Sequence, residues 1–520
     1  MLRAGWLLGL LALSAPALAS ATEVQFTPFP QVNRVVGYSI SLAQLTNHGR
    51  PDVVACKFSG LLVYPDLGDG TFGTPTKSPL PGECTETAVG DLNGDGTPDV
   101  VASTEFPNRL LVFTGRHDGT LSDPDQYPLA AESLIATGDF NGDGNADVAA
   151  ADLDGNQLTI FRGDGSGGLA SGSSISIPSH PRDLAVADFN GDSVDDLAVI
   201  SWSSRSLKII LGSKRGRPTA LATTTLGHRP WSVAAGNLVG GPATDLAIGA
   251  EGWSGISLLK GDSAGHFAEA QILPIEGRTE DIGLADLNGD GLLDVVAPNA
   301  WVVSTYFGRP GGGVTKPTMY VSGHDLGDGH FIEPDSIATG NLNGDHRPDF
   351  VFAAKWLRVF LQGGDRHMCH GRTANFIGSE ARDDMPVFSK QPRGLTAQLG
   401  AGDDLMGGSR NSDLVCLGPG ADGASMSRGR DLVFAGRGDD VVHGMEGRDR
   451  TFGGSGDDLL GQQMPSSEPE LGRDVLHGGA GNDVLRGGRG DDVLRGGPGI
   501  DECLGGSGHD VVVGCERHST

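Results

Sequence analysis

Oxygen-bearing side chains recur in this sequence at spacings that suit a hard cation. In Asp91-Leu92-Asn93-Gly94-Asp95-Gly96-Thr97-Pro98-Asp99 they stand at positions 1, 3, 5 and 9, with Thr97 placed to offer its backbone carbonyl at position 7. Ca²⁺ takes six to eight oxygens at about 2.3–2.6 Å, and carboxylates or amides at alternate positions of a tight glycine loop point at one centre. The pattern returns as Asp139, Asn141, Asp143, Asn145 and Asp147, then as Asp188, Asn190, Asp192, Val194 and Asp196. It returns again as Asp286, Asn288, Asp290, Leu292 and Asp294, and as Asn341, Asn343, Asp345, Arg347 and Asp349. Two reduced copies fill the gaps: Gln44 to Asp52 keeps only the last ligand, and Asn237 to Asp245 keeps the first, as an amide, and the last. An EF-hand would require Glu at loop position 12 and flanking helices; that position is Ala102, within an apolar run, so that reading fails.

The elements that position these loops follow from their period. Loops start at 44, 91, 139, 188, 237, 286 and 341. A repeat near 50 residues with short apolar runs predicts a propeller with one four-stranded blade per repeat. A strand such as Asp147-Val148-Ala149-Ala150-Ala151 follows each loop, then a second such as Gln157 to Phe161, then a Gly/Asp hairpin turn. The last blade runs out after Leu357 to Leu361. The stretch Glu23 to Pro28 is therefore expected to complete it and close the ring.

These loops, with Gly-Thr-Phe-Gly at 70–73, resemble the FG-GAP/VCBS repeats of integrin-type β-propellers over roughly residues 22–364. The resemblance implies a seven-bladed propeller and Ca²⁺. It hardly constrains the ligand, because the same repeats serve adhesion, sugar binding and enzyme scaffolds.

Residues 365–398 read as a junction, after which the period changes to nine. Asp404, Asp413, Asp422, Asp431, Asp440, Asp449 and Asp458 run without a break; after an insertion (Gln462 to Glu468) Asp474, Asp483, Asp492, Asp501 and Asp510 resume the series. Asp404, Asp440, Asp449, Asp458, Asp474, Asp483, Asp492, Asp501 and Asp510 are the expected cation ligands. Two residues after each Asp an inward position reads Met406, Val415, Ala424, Val433, Val442, Thr451, Leu460, Leu476, Leu485, Leu494, Cys503 and Val512. A flexible glycine linker would not hold Asp and an apolar residue in phase for twelve units. The segment 399–513 resembles the RTX, or haemolysin-type, calcium-binding repeat, which implies a parallel β-roll; 514–520 is a tail. The fold class expected for the chain is all-β, a seven-bladed propeller followed by that roll. Stacked Asp residues repel one another without a cation, so the roll should fold only where Ca²⁺ is plentiful.

Residues 1–21 read as a signal peptide: Arg3, a short apolar core from Leu7 to Leu13, and a small-residue cleavage site ending at Ala19 or Ala21. No stretch approaches the twenty apolar residues of a membrane span. A secreted or cell-surface location is expected, and export by the uncleaved C-terminal signal usual for RTX proteins is not. The formal net charge of −28 excludes a nucleic-acid partner, which requires a basic surface. Six cysteines allow 15 pairings; proximity suggests Cys56–Cys84, Cys369–Cys416 and Cys503–Cys515.

No His-Glu-x-x-His, Gly-x-Ser-x-Gly or Walker motif occurs. The expected function is a secreted calcium-binding adhesion or binding module, with polysaccharide or a cell-surface component as partner. A propeller-scaffold lyase or hydrolase acting on extracellular polymer is the alternative. Three Arg-Gly-Asp triplets fall where turns or nonads already demand Gly and Asp. Trp202, Trp253, Trp301 and Trp356 lie six to eight residues beyond the final Asp of their loops, and Trp231 precedes its loop by one strand. All five should reach the face opposite the loops, near His180, Arg182, His228, Arg229 and Arg278. There they either pack between blades or form a sugar-stacking platform.

Overall fold

The computed structural model describes residues 26–28 and 39–519 apart from 47–48, 58–59, 69–70, 252–254, 276–277, 300–301, 316, 322–335, 344–345, 354–356, 363–367, 370–371, 374–375, 378–383, 386–394, 445 and 462–471. The chain forms a seven-bladed propeller and a parallel β-solenoid of about six turns. Each blade is an antiparallel meander. The second blade, for example, runs Glu83–Gly90, Asp99–Glu105, Arg109–Phe113 and Asp125–Pro128. Burial explains the sequence pattern. Second strands such as Asp196–Ser201 are buried throughout, because adjacent blades cover both their faces, whereas the outermost strand Thr76–Ser78 is largely exposed. The apolar clusters accordingly lie between blades, one joining Val54, Leu61 and Val63 to Val100, Leu111 and Phe113.

The ring closes as the sequence predicts. Phe26–Pro28 pairs antiparallel with Leu357–Gln362 and supplies the fourth strand of the blade built from Ser336–Gly340, Asp349–Ala353 and Leu357–Gln362. A terminal strand inside the last blade removes the open edge.

The roll stacks two parallel sheets. Leu414, Leu432 and Arg450 pair in succession at a spacing of 18 residues, so one turn is two nonads. Across the insertion the spacing is 25, Arg450 pairing with Val475, so the extra residues are looped out of the register. The inward positions from Met406 to Cys503 are all buried, and Val512 is partly so. Each buried leucine there contributes about 2 kcal/mol.

One feature of the fold was not visible in the sequence. The outer strand of the sixth blade, Thr318–Val321, pairs in parallel with Phe376–Ile377, which pairs with Thr396–Gln398 at the start of the roll. Propeller and roll thus share one twelve-stranded sheet. The segment 365–398, read as a junction, also carries a hairpin of Met368–Cys369 and Arg372–Thr373, tied to the roll by the Cys369–Cys416 disulfide. The other two disulfides are Cys56–Cys84 and Cys503–Cys515, so all three pairings follow chain proximity.

Candidate calcium sites and the face opposite the loops

The loop after each inner strand is shaped by its own carboxylates. Asp91 accepts from the Gly94 and Gly96 amides (2.7 and 2.9 Å), Asn93 Oδ1 from Asp95 N–H (2.9 Å), and Asp95 Oδ1 from Thr97 N–H (2.7 Å). Asp188 and Asn190, and Asp286, Asn288 and Asp290, repeat this arrangement. In the loop from Asp139, Asp143 Oδ1 accepts from Asn145 N–H, while the Asn141 amide turns onto Asp147. Positive φ at Gly94 and Gly96 (73° and 83°) lets the chain turn this tightly. Val194 is buried and Leu292 half-buried, so position 7 can offer only a backbone carbonyl. Asn341, Asn343, Arg347 and Asp349 sit in the equivalent seventh-blade loop; Asp345 lies outside the described residues. The oxygens at positions 1, 3 and 5 fit a hard cation, since each keeps an acceptor direction beyond its loop hydrogen bond.

Position 9 does something else. Asp99 is fully buried; its Oδ2 accepts from Leu92 N–H (2.9 Å) and its Oδ1 from Gly115 N–H (2.9 Å). Asp196 binds Phe189 and Gly212 in the same way, and Asp294 binds Leu287 and Gly308. The two reduced loops keep the staple: Asp52 accepts from Leu45, Thr46 and Asp66, and Asp245 from Leu238, Val239 and Gly261. The residue so held then accepts, through its carbonyl, an N–H from the next blade. Leu45 takes Gly119, Leu92 takes Gly167, Phe189 takes Gly265 and Leu238 takes Gly313. Burial pushes Asp147 and Asp196 up to about 6 and Asp294 to about 7, against the lowering by these hydrogen bonds.

In the roll, nine-residue phasing on an 18-residue turn sends alternate Asp residues to opposite edges. Asp404, Asp422, Asp440, Asp458, Asp483 and Asp501 form one ladder, each N–H donating to the next Oδ1 at 2.8–2.9 Å. Asp413, Asp431, Asp449, Asp474, Asp492 and Asp510 form the other. That leaves the second oxygen. Oδ2 of Asp422, Asp431, Asp440, Asp449, Asp458, Asp483, Asp492, Asp501 and Asp510 is buried with no hydrogen-bond partner. A row of buried, unsatisfied carboxylate oxygens is costly unless a cation meets it. Burial pushes Asp431 and Asp440 up to about 7. Asp422 and Asp431 were not among the expected ligands, although their nonad phase marked them. Among the described residues no three His, Cys, Asp or Glu side chains gather tightly enough to hold a metal. Ca²⁺ in the roll must therefore draw on turn carbonyls beside each Asp.

The glycines complete this cradle. A Cβ on Gly487 would lie 2.7 Å from Asp492 Oδ2 and 2.6 Å from the Gly505 carbonyl, filling the space a cation needs. Gly487→Ala should thus raise the calcium concentration needed to order its turn by about tenfold, about 1.4 kcal/mol at one site. A calcium titration followed by circular dichroism checks this.

At the opposite face, inner strands begin around a cavity of ≈ 390 Å³ lined by Ser39, Thr85, Glu86, Thr87, Glu132, Ser133, Arg182, Asp183, Trp231, Glu280, Asp281 and Ser336 among others. Three acids clamp blades in pairs. Glu86 Oε2 accepts from Ile135 N–H (3.1 Å), Asp183 Oδ2 from Val233 (2.7 Å) and Asp281 Oδ2 from Ile337 (2.9 Å). Each sits five residues ahead of its loop, in the second, fourth and sixth blades, a signal present in the sequence but not used. Desolvation, reinforced by Asp183, raises Glu86 to about 8; desolvation and Asp281 raise Asp183 to about 7. A folded-state value above the unfolded one gives stability that is complete below about pH 4.5 and lost as pH rises through 8. Glu86→Gln keeps the acceptor, so its melting temperature should match the parent near pH 4.5 and exceed it by several degrees at pH 8.5. Thermal melts across that range test the sign.

Trp202 follows Ser201 and Trp231 starts Pro230–Gly236, so both lie at this face. Trp202 Nε1 donates to Glu251 (2.9 Å), with Arg229 over its ring at 4.4 Å. Trp231 Nε1 donates to Glu280 (2.9 Å), and Arg182 and Arg278 stand 4.0 and 4.2 Å from its centroid. Trp231 is thus flanked by two arginines, of which Arg278 also pairs with Glu280. Trp253, Trp301 and Trp356 lie outside the described residues, as does the signal segment 1–21.

Residues 45–102, 91–149 and 139–199 match the FG-GAP-like repeat, and residues 427–460 and 470–503 match the RTX calcium-binding nonapeptide repeat. The chain thus carries FG-GAP-like repeats in its propeller and RTX repeats in its roll, and RTX repeats bind Ca²⁺. No curated protein matches the sequence. Among solved structures it is similar to BBS1N in complex with ARL6DN, at 11% identity and a TM-score of 0.48, covering 66% of this chain and 98% of that one. It is also similar to an Agrocybe aegerita lectin recognising non-reducing terminal N-acetylglucosamine, at 16% identity and a TM-score of 0.41, covering 54% and 79%. A streptogramin B lyase matches at 15% and 0.43, covering 66% and 98%. No helix of the described residues is long and apolar enough to cross a membrane.

Proposed function

We propose that this chain is an extracellular, calcium-dependent binding protein whose propeller docks a polysaccharide on the face opposite the cation loops. The disulfides and the roll's demand for Ca²⁺ support a location outside the cell. The observation that carries the binding reading is the cavity at the channel mouth, where hydroxyls and carboxylates from the inner strands converge beside Trp231. Its charge narrows the ligand. Glu132 and Glu280 outnumber Arg182, burial holds Glu86, Asp183 and Asp281 toward the neutral acid, and the neighbouring arginines are engaged with tryptophan rings and glutamates. A neutral glycan, hydroxyls donating to these carboxylates, fits the mouth better than an acidic polymer.

A glycan screen with and without chelator tests this reading, comparing the parent with Thr85→Trp, which fills the cavity. Binding of neutral glycans that disappears in a folded Thr85→Trp variant is expected. Preference for acidic polymers, or undiminished binding by that variant, would sink the assignment.

A further inference from the structure

The two ends of the roll are not equivalent. At its start the sheet is already nucleated: Met319 and Tyr320 of the sixth blade pair with Phe376 and Ile377, and these pair with Ala397 and Gln398. The packing is shared as well, since Val302 and Met319 belong to one buried cluster with Leu395, Ala397, Leu399 and Met406. The Cys369–Cys416 bond adds a covalent tie across the same seam. At the far end Arg517–Ser519 ends one sheet and Val511–Val513 the other, an open edge with Val511 and Val513 52% and 54% exposed.

The first turn also differs in its chemistry. Ser409 stands four residues before Asp413, where most nonads place their second glycine and the nonad of Asp431 has Ser427. Its N–H and Oγ both donate to Asp413 (2.7 Å each), and Leu395 N–H donates to the same carboxylate (2.7 Å). Asp413 therefore has both oxygens satisfied by protein, whereas nine later ladder residues, among them Asp422, Asp431 and Asp440, carry buried Oδ2 atoms with no donor. The Asp413 edge of the turn beside the propeller thus meets its carboxylate with protein donors alone.

We propose that the outer edge of the sixth blade and the Ser409–Asp413 turn form a calcium-independent seed on which the roll folds, each Ca²⁺ adding turns outward from the propeller. Stacked repeats depend on nearest neighbours, so starting an isolated parallel turn is costly and extending a preformed one is not. A seed held by the propeller covers the starting cost. Calcium then controls how far the roll extends. The rival start is the C-terminal end, where Cys515 ties to Cys503 and Glu516 accepts from Asp501 N–H (2.7 Å) in place of a further Asp.

The test is hydrogen exchange of the full chain at rising Ca²⁺, read turn by turn. Protection should appear first around 395–419, then at 432–455, and last at 502–513. Ile377→Pro, which removes a backbone donor from the strand between blade and roll, should raise the calcium midpoint of the roll about fivefold with the propeller melt unchanged. Val513→Pro, at the open edge, should shift it far less. Protection that starts at 502–513, or that rises in all turns at one concentration, overturns the proposal, as does an unshifted midpoint in Ile377→Pro. If that variant fails to fold, the order of protection in the parent chain still decides.

Discussion

Removing calcium should unfold most of the roll while leaving the propeller standing. Nine ladder residues each bury a carboxylate oxygen without a donor. An unmet buried acceptor costs about 1–3 kcal/mol, more when charged, and a whole domain is stable by only about 5–15 kcal/mol. Nine unmet oxygens therefore exceed what a thin core of single inward residues can supply. A site bathed at 100 times its dissociation constant returns about 2.7 kcal/mol, so a few occupied turns restore the balance. The propeller has no such deficit. Its loop carboxylates accept their own loop amides, and its blades are sealed by clusters such as that joining Val100, Leu111 and Phe113 to Val54 and Leu61. Calorimetry in millimolar Ca²⁺ should show the roll transition, and chelator should abolish it or lower it by tens of degrees. The propeller transition should fall by a few degrees only. One identical melt under both conditions would be incompatible with the ladder.

Period and phase were legible in the chain because they are what the fold physically needs. A blade spans about 50 residues and a roll turn 18, and the apolar residue two places after each Asp is the one that lands inside. Phe26–Pro28 could be foreseen because the last blade lacked a strand. Less legible was anything depending on which face a ring or carboxylate meets. Trp231 could be placed on the face opposite the loops from its spacing, but not that Arg182 and Arg278, from neighbouring repeats, stand over its ring. The seam between blade six and the roll has no motif, since backbone pairing from Met319 and Tyr320 needs no particular side chain. The acids Glu86, Asp183 and Asp281 did carry a signal, a fixed offset in alternate blades, masked by the abundance of loop carboxylates.

The second large effect concerns the final Asp of each loop. Asp245 lies in a reduced loop with too few oxygens for a cation, yet it is buried and holds the amides of Leu238, Val239 and Gly261. Leu238, so placed, accepts the N–H of Gly313 in the sixth blade. Asp52 does the same work in the first blade, where Leu45 receives Gly119 of the second. These two positions have lost most other ligands and retained this one, which is expected if it serves ring closure before it serves calcium. Asp245→Ala would leave three amides without a partner, at about 1–3 kcal/mol each. The propeller should lose roughly 3–9 kcal/mol, enough to lower its melting temperature by about ten degrees or more in a domain of this size. The loss should be the same in calcium and in chelator. Asp95→Ala, at an exposed loop position, should instead be nearly silent in chelator and weaken the propeller only when Ca²⁺ is present. Thermal melts of the two variants under both conditions separate the roles. An Asp245→Ala variant that melts with the parent, or one that needs calcium to show its defect, would return the final Asp to being a ligand alone.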